Sequence, residues 1–80
     1  MTLDELKERL KAEKIPNGWY FLEQIGNNDD KTCLEFSEGK WLVYYSERGE
    51  KLEFSSFETE AEACGELLSR MLSEKQRYKS

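Results

Sequence analysis

The sequence predicts an α+β domain, a four-stranded antiparallel meander flanked by an N-terminal and a C-terminal helix in the order αββββα. Three observations predict it. Apolar residues recur at helical spacing at both ends of the chain, they alternate in four segments between, and turn-forming residues separate those segments. Eighty residues leave room for one domain spanning 1–80 and one core.

Each element has a local cause. Thr2 followed three residues later by Glu5 has capping-box spacing, and Met1 and Leu6 stand where a hydrophobic staple forms. These predict a helix over 3–14 with Leu3, Leu6 and Leu10 on its buried stripe. Pro16 ends it, because the residue before a proline is pushed out of helical geometry. From Asn17-Gly18 onward aromatic and branched residues predict strands at 19–25, 31–37, 40–46 and 51–56. The polar stretch Gly26-Asn27-Asn28-Asp29-Asp30 is a loop, and Glu38-Gly39 and Arg48-Gly49 fit tight hairpin turns whose glycines supply positive φ.

The two hairpins set a register. A two-residue turn at Glu38-Gly39 pairs Phe36 with Trp41 and Leu34 with Val43; one at Arg48-Gly49 pairs Tyr45 with Leu52 and Val43 with Phe54. One face then carries Leu34, Phe36, Trp41, Val43, Tyr45, Leu52 and Phe54, with Trp19 and Phe21 added from the first strand, and it is the expected core face. Thr59 and Glu62 repeat the capping-box spacing and open a helix over 60–74. Its stripe of Ala61, Cys64, Leu67, Leu68, Met71 and Leu72 is expected to cover that face. Glu58, Glu60 and Glu62 at its start and Arg70, Lys75, Arg77 and Lys79 toward its end suit the helix dipole. The tail after about Lys75 is expected to fray.

Composition narrows the function. Seventeen acidic against twelve basic residues give a net charge of −5, which argues against a nucleic-acid binder. No histidine occurs, so the usual catalytic base and the commonest metal ligand are missing, and the expectation is no enzyme, no metal and no cofactor. Cys33 and Cys64 lack CxxC spacing and read as reduced, packed thiols. With no secretory pattern at the start, and a longest apolar run of five residues from Trp41 to Tyr45, the expected setting is cytoplasmic and off the membrane.

The opposite sheet face carries Tyr20, Leu22, Cys33, Glu35, Leu42, Tyr44, Glu53 and Ser55 by alternation. In the expected register Cys33 faces Tyr44, Glu35 faces Leu42 and Tyr44 faces Glu53, an apolar patch bordered by acid that suits a basic protein partner. Periodicity leaves open whether the first helix covers this face. Five acids against two bases in residues 15–40 place much of the negative charge beside it. Tyr20, Asp29, Asp30, Glu35, Leu42, Tyr44 and Glu53 are therefore the candidate partner contacts. The Asn27-to-Asp30 loop lacks the spacing of a calcium loop and reads as a solvated turn. Arg48, beyond Tyr44-Tyr45 on a charged hairpin tip, is either an interface anchor or an incidental turn charge.

The segment Lys40-Trp41-Leu42-Val43-Tyr44-Tyr45-Ser46-Glu47-Arg48-Gly49-Glu50-Lys51, followed by Phe57 and Glu60-Ala61-Glu62-Ala63-Cys64, resembles small bacterial immunity proteins of polymorphic toxin and contact-dependent inhibition systems. There a strand ending W-x-V-Y-Y-x-E-R-G leads to a phenylalanine and an acidic helix start. The similarity covers the second half of the chain; the first half agrees in length and in its opening helix. It implies a cytoplasmic protein that binds and neutralises one cognate toxin encoded beside it. Because many such toxins attack nucleic acid and are basic, the expected mechanism is an acidic-aromatic plug over the toxin's active site. The alternative is a small interaction or regulatory domain, self-associating as a homodimer through a sheet edge.

Overall fold

The computed structural model describes residues 1–22 and 30–79. Its elements are two helices, α1 (Leu3–Ala12) and α2 (Glu60–Lys79), and four strands, β1 (Tyr20–Phe21), β2 (Lys31–Ser37), β3 (Lys40–Glu47) and β4 (Glu50–Phe57). The strands form one sheet in the order β1-β2-β3-β4. Both helices lie on the same side of it.

α1 begins as its capping box dictates: the Thr2 hydroxyl accepts from the Glu5 N–H at 3.2 Å, and the Glu5 carboxylate accepts from the Thr2 N–H at 3.0 Å. Its end differs from the expected boundary at residue 14. The helix stops at Ala12 in a Schellman motif, with Lys14 at φ +59°. The Lys14 N–H donates to the Lys11 carbonyl and the Ile15 N–H to the Leu10 carbonyl, each at 3.0 Å. Buried Leu10 and Ile15 occupy the positions where that motif adds its apolar contact. The stop is thus set before Pro16, by a lysine where glycine is the usual occupant.

The sheet is mixed, which corrects the wholly antiparallel meander. β1 runs parallel to β2, pairing Tyr20 with Thr32 and Phe21 with Cys33. Alternation specifies which residues share a face but carries no strand direction, and the connection over 22–30 is too long to act as a tight turn that would fix it. Of the expected strand 19–25, Trp19 belongs to a 3-10 turn over Asn17–Trp19, Tyr20 and Phe21 form β1, and 23–25 lie outside the described residues. The two hairpin turns form where expected. Glu38 and Gly39 have φ of +51° and +80°, Arg48 and Gly49 +50° and +82°, the positive pairs of type I′ turns. Phe36–Trp41, Leu34–Val43 and Tyr45–Leu52 all pair.

The Val43–Phe54 pairing does not form. Glu53 adopts φ +51° and the register shifts between Val43 and Tyr45, so Val43 pairs with Ser55 and Trp41 with Phe57. Two residues, Glu53 and Phe54, thus oppose Tyr44 in a β-bulge. The left-handed backbone at a non-glycine residue costs about 1–2 kcal/mol. Moving Phe57 to the helix side beside Trp41, where both pack against the core, offsets it, since burying an aromatic side chain contributes about 1.5–3 kcal/mol.

The core joins Leu6 and Leu10 of α1, Leu34 of β2, Val43 of β3 and Ala63, Cys64, Leu67, Leu68 and Met71 of α2. α2 lies on the sheet and α1 packs alongside it. The helices run in the same direction and are tied at both ends: the Glu60 carboxylate accepts from the Leu3 N–H at 3.0 Å, and the Lys75 ammonium donates to the Glu13 carbonyl at 2.6 Å. Thr59 caps α2 by accepting from the Glu62 N–H at 3.2 Å. The helix continues to Lys79, past the expected end near 74, with ion pairs from Glu66 to Arg70 and from Glu74 to Arg77 along it.

Leu67, fully buried, is the measure of this core: Leu67→Ala is expected to lower the unfolding free energy by about 3 kcal/mol in a urea titration. Lys14→Gly is expected to raise it by about 0.5–1 kcal/mol, because glycine takes the left-handed C-terminal position without the Cβ penalty.

Candidate functional site

The sheet has two unlike faces. The helix side carries Tyr20, Thr32, Leu34, Phe36, Trp41, Val43, Tyr45, Leu52, Ser55 and Phe57, in keeping with the strand pairings and the core. The other side carries Phe21, Cys33, Glu35, Leu42, Tyr44, Ser46, Lys51, Phe54 and Ser56. Among the described residues no helix packs on it: α1 contacts α2 on the opposite side.

Tyr44 is the centre of this open face. It is 3% exposed, and the Phe54 ring stacks on it with centroids 6.1 Å apart and planes 17° from parallel. Offset stacking of this kind adds to simple area burial. The Lys51 ammonium sits 5.0 Å from the Tyr44 ring centroid and 3.5 Å from the Glu35 carboxylate, a cation held by a ring face and an anion together. Burial first, and then hydrogen bonding to the Glu35 carboxylate, pushes the Tyr44 phenol well above its ordinary range. The hydroxyl therefore stays protonated as a donor. Phe54 is 51% exposed and forms the apolar high point of the face. Beside it Leu42 is half-buried, and Cys33 is buried with its thiol donating to the Lys31 carbonyl at 3.5 Å. Toward the β1 edge the Lys31 ammonium lies 5.8 Å from the Phe21 ring.

Of the seven candidate contacts, the structure brings Glu35, Leu42 and Tyr44 together here. Tyr20 is on the helix side, where its hydroxyl donates to the Asn17 side-chain oxygen at 3.1 Å. Glu53 is displaced by the bulge; it lines a helix-side cleft with Thr32, Tyr45 and Arg70, and its carbonyl accepts from Arg70. Asp30 lines an adjoining helix-side cleft with Trp19, Tyr45, Met71 and Glu74. Asp29 lies outside the described residues. Leu22, expected on the open side, packs against the helix-side core, and Ser55 faces α2.

Lys51, Phe54, Phe21 and Lys31 are participants absent from the expected contacts, and of these alternation put Phe54 and Phe21 on the other face. Without the bulge Phe54 falls on the core face, and the pattern has no sign for a bulge at a glutamate. Lys51 alternates onto the open side and was legible as a counter-charge to Glu35. The border of the patch is consequently a Glu35–Lys51 pair of opposite charges, where the sequence predicts carboxylates alone. Arg48 is an exposed residue of its type I′ turn.

Cys64, in the core on the helix side, has its thiol pushed up by burial, which disfavours thiolate. Among the described residues no three His, Cys, Asp or Glu side chains are placed to hold a metal ion. No helix there is long and apolar enough to cross a membrane.

The Tyr44 shift has a pH consequence. Above about pH 10 the unfolded chain loses this phenolic proton while the folded chain keeps it, so folding becomes less favourable as pH rises. Urea titrations between pH 8 and pH 11 are expected to show that Tyr44→Phe loses less stability over this interval than the parent chain. Equal losses would place the phenol in a solvated setting. Comparison of the chain with protein-family models, with curated proteins and with solved structures returns no match.

Proposed function

We propose that this chain is an immunity-type binding protein, whose sheet face opposite α1 and α2 docks on a cognate toxin and occludes its active site. The observation that carries this reading is the Tyr44–Phe54 stack. A half-exposed ring seated on a fully buried one is an anchor already held in place, so docking it costs little side-chain entropy. Leu42 extends the apolar surface, and the Glu35–Lys51 pair supplies a polar rim with charges of both signs.

The net charge of −5 favours a basic toxin of the nuclease type, steered by the acidity of the whole chain toward a cationic cleft. The face itself is locally balanced, so in this reading the aromatics supply affinity and the wider charge supplies encounter rate. The similarity of the segment from Lys40 to Cys64 to small immunity proteins supports the same assignment, and with it a cytoplasmic protein whose toxin is encoded beside it. A regulatory domain that dimerises through its last strand is the second reading. It is disfavoured because β4 carries a bulge and the charges Glu50, Lys51 and Glu53, features that oppose edge pairing.

The test is a pull-down of the tagged chain from its source cells, with the recovered partner assayed with and without added protein. The expected partner is a basic toxin domain whose activity the chain abolishes. Phe54→Ala is expected to weaken that complex by roughly 30-fold, about 2 kcal/mol, while folding stability changes by about 1 kcal/mol or less. A recovered toxin unaffected by the chain, or unchanged affinity of the Phe54→Ala variant, would contradict the proposal.

A further inference from the structure

Arg70 of α2 reaches across the helix side of the sheet to the β4 bulge. Its Nη2 donates to the Glu53 carbonyl at 2.8 Å and to the Ser55 hydroxyl at 3.2 Å, while its Nε donates to the Glu66 carboxylate at 2.7 Å. The side chain is 17% exposed, and Nη1 is buried with no hydrogen-bond partner among the described residues. A bulge takes its extra residue out of regular ladder pairing. Here a guanidinium, oriented by a carboxylate one turn earlier on its own helix, grips the carbonyl of that residue and the side chain that follows the bulge.

The bulge also decides where Phe54 points. With it, Val43 pairs with Ser55, and Phe54 stacks on Tyr44 on the open face. Without it, the second half of β4 slips by one residue: Phe54 opposes Val43 on the helix side, Ser55 turns to the open face and Phe57 follows it there. In that register Arg70 loses Ser55 as an acceptor and the open face loses its stacked pair. The bond from Arg70 to Ser55 therefore exists only in the register that presents Phe54.

We propose that Arg70 is the positioning residue of the open face, acting from the opposite side of the sheet by holding the Glu53 bulge that turns Phe54 onto Tyr44. The functional meaning of this clamp rests on the docking reading of that face; the clamp itself does not. A single helix residue thus governs the shape of a surface it does not touch, and a change in the tilt of α2 would be transmitted to that surface through β4.

The experiment is two-dimensional nuclear Overhauser spectroscopy on the parent chain, Arg70→Met and Arg70→Met/Glu53→Gly, with no partner present. The parent is expected to show ring contacts between Tyr44 and Phe54 and between Trp41 and Phe57. Arg70→Met is expected to lose both and gain contacts between Phe54 and Val43. Adding Glu53→Gly, which makes the left-handed backbone intrinsically favourable, is expected to restore the parent pattern. If Arg70→Met does not fold, the double variant is still expected to fold with the Tyr44–Phe54 contact. The proposal is overturned if folded Arg70→Met keeps that contact, or if the double variant fails to recover it. Because the spectra are read without a partner, a failed toxin assay and a failed clamp are separate results.

Discussion

The register of β4 against β3 is the constraint on which both faces of this protein depend. One residue, Glu53, sits in left-handed backbone, and the chain beyond it is advanced by one position relative to a simple hairpin. That advance puts Phe57 beside Trp41 at the margin of the core, brings Ser55 under α2 and sends Phe54 to the far side. The local cost of about 1–2 kcal/mol is comparable to the gain from packing one aromatic residue, so the balance is set by side chains distant in sequence. Arg70 is the clearest of these, since it bonds the bulge directly.

The layering follows from this and from the small size of the chain. Two parallel helices, tied at one end by Glu60 to Leu3 and at the other by Lys75 to Glu13, cover a single sheet face. Their apolar stripes are consumed there, and eighty residues supply no third helix for the other face among those described. On that face, among the described residues, Phe54 and Lys51 lie over Tyr44 and Lys51 pairs with Glu35. The result is a surface with a buried floor and an apolar summit. That surface is the physical basis of the binding function proposed for the chain.

Much of this was legible in the sequence. Thr2 with Glu5 and Thr59 with Glu62 announced both helix starts because their side chains bond backbone groups three residues away. Glu38-Gly39 and Arg48-Gly49 announced both hairpins, and with them the Leu34–Val43 and Tyr45–Leu52 pairs. Three features were not legible. Lys14 and Glu53 adopt backbone that local preference assigns to glycine, and the parallel direction of β1 has no signature in alternation or in the length of chain before β2. In the first two, packing elsewhere overrides local preference: Leu10 with Ile15 for Lys14, Phe57 and Arg70 for Glu53. Of the candidate site, Tyr44, Leu42 and Glu35 were readable from alternation. Phe54 was not, because its face depends on the bulge.

The most direct test of this account is the pattern of backbone nuclear Overhauser contacts between β3 and β4 in the unmodified protein. The account predicts cross-strand contacts pairing Val43 with Ser55 and Trp41 with Phe57, beside the Tyr45–Leu52 pair common to either register. Contacts pairing Val43 with Phe54 and Trp41 with Ser56 would contradict it, returning Phe54 to the helix side and removing the aromatic pair from the face proposed to bind.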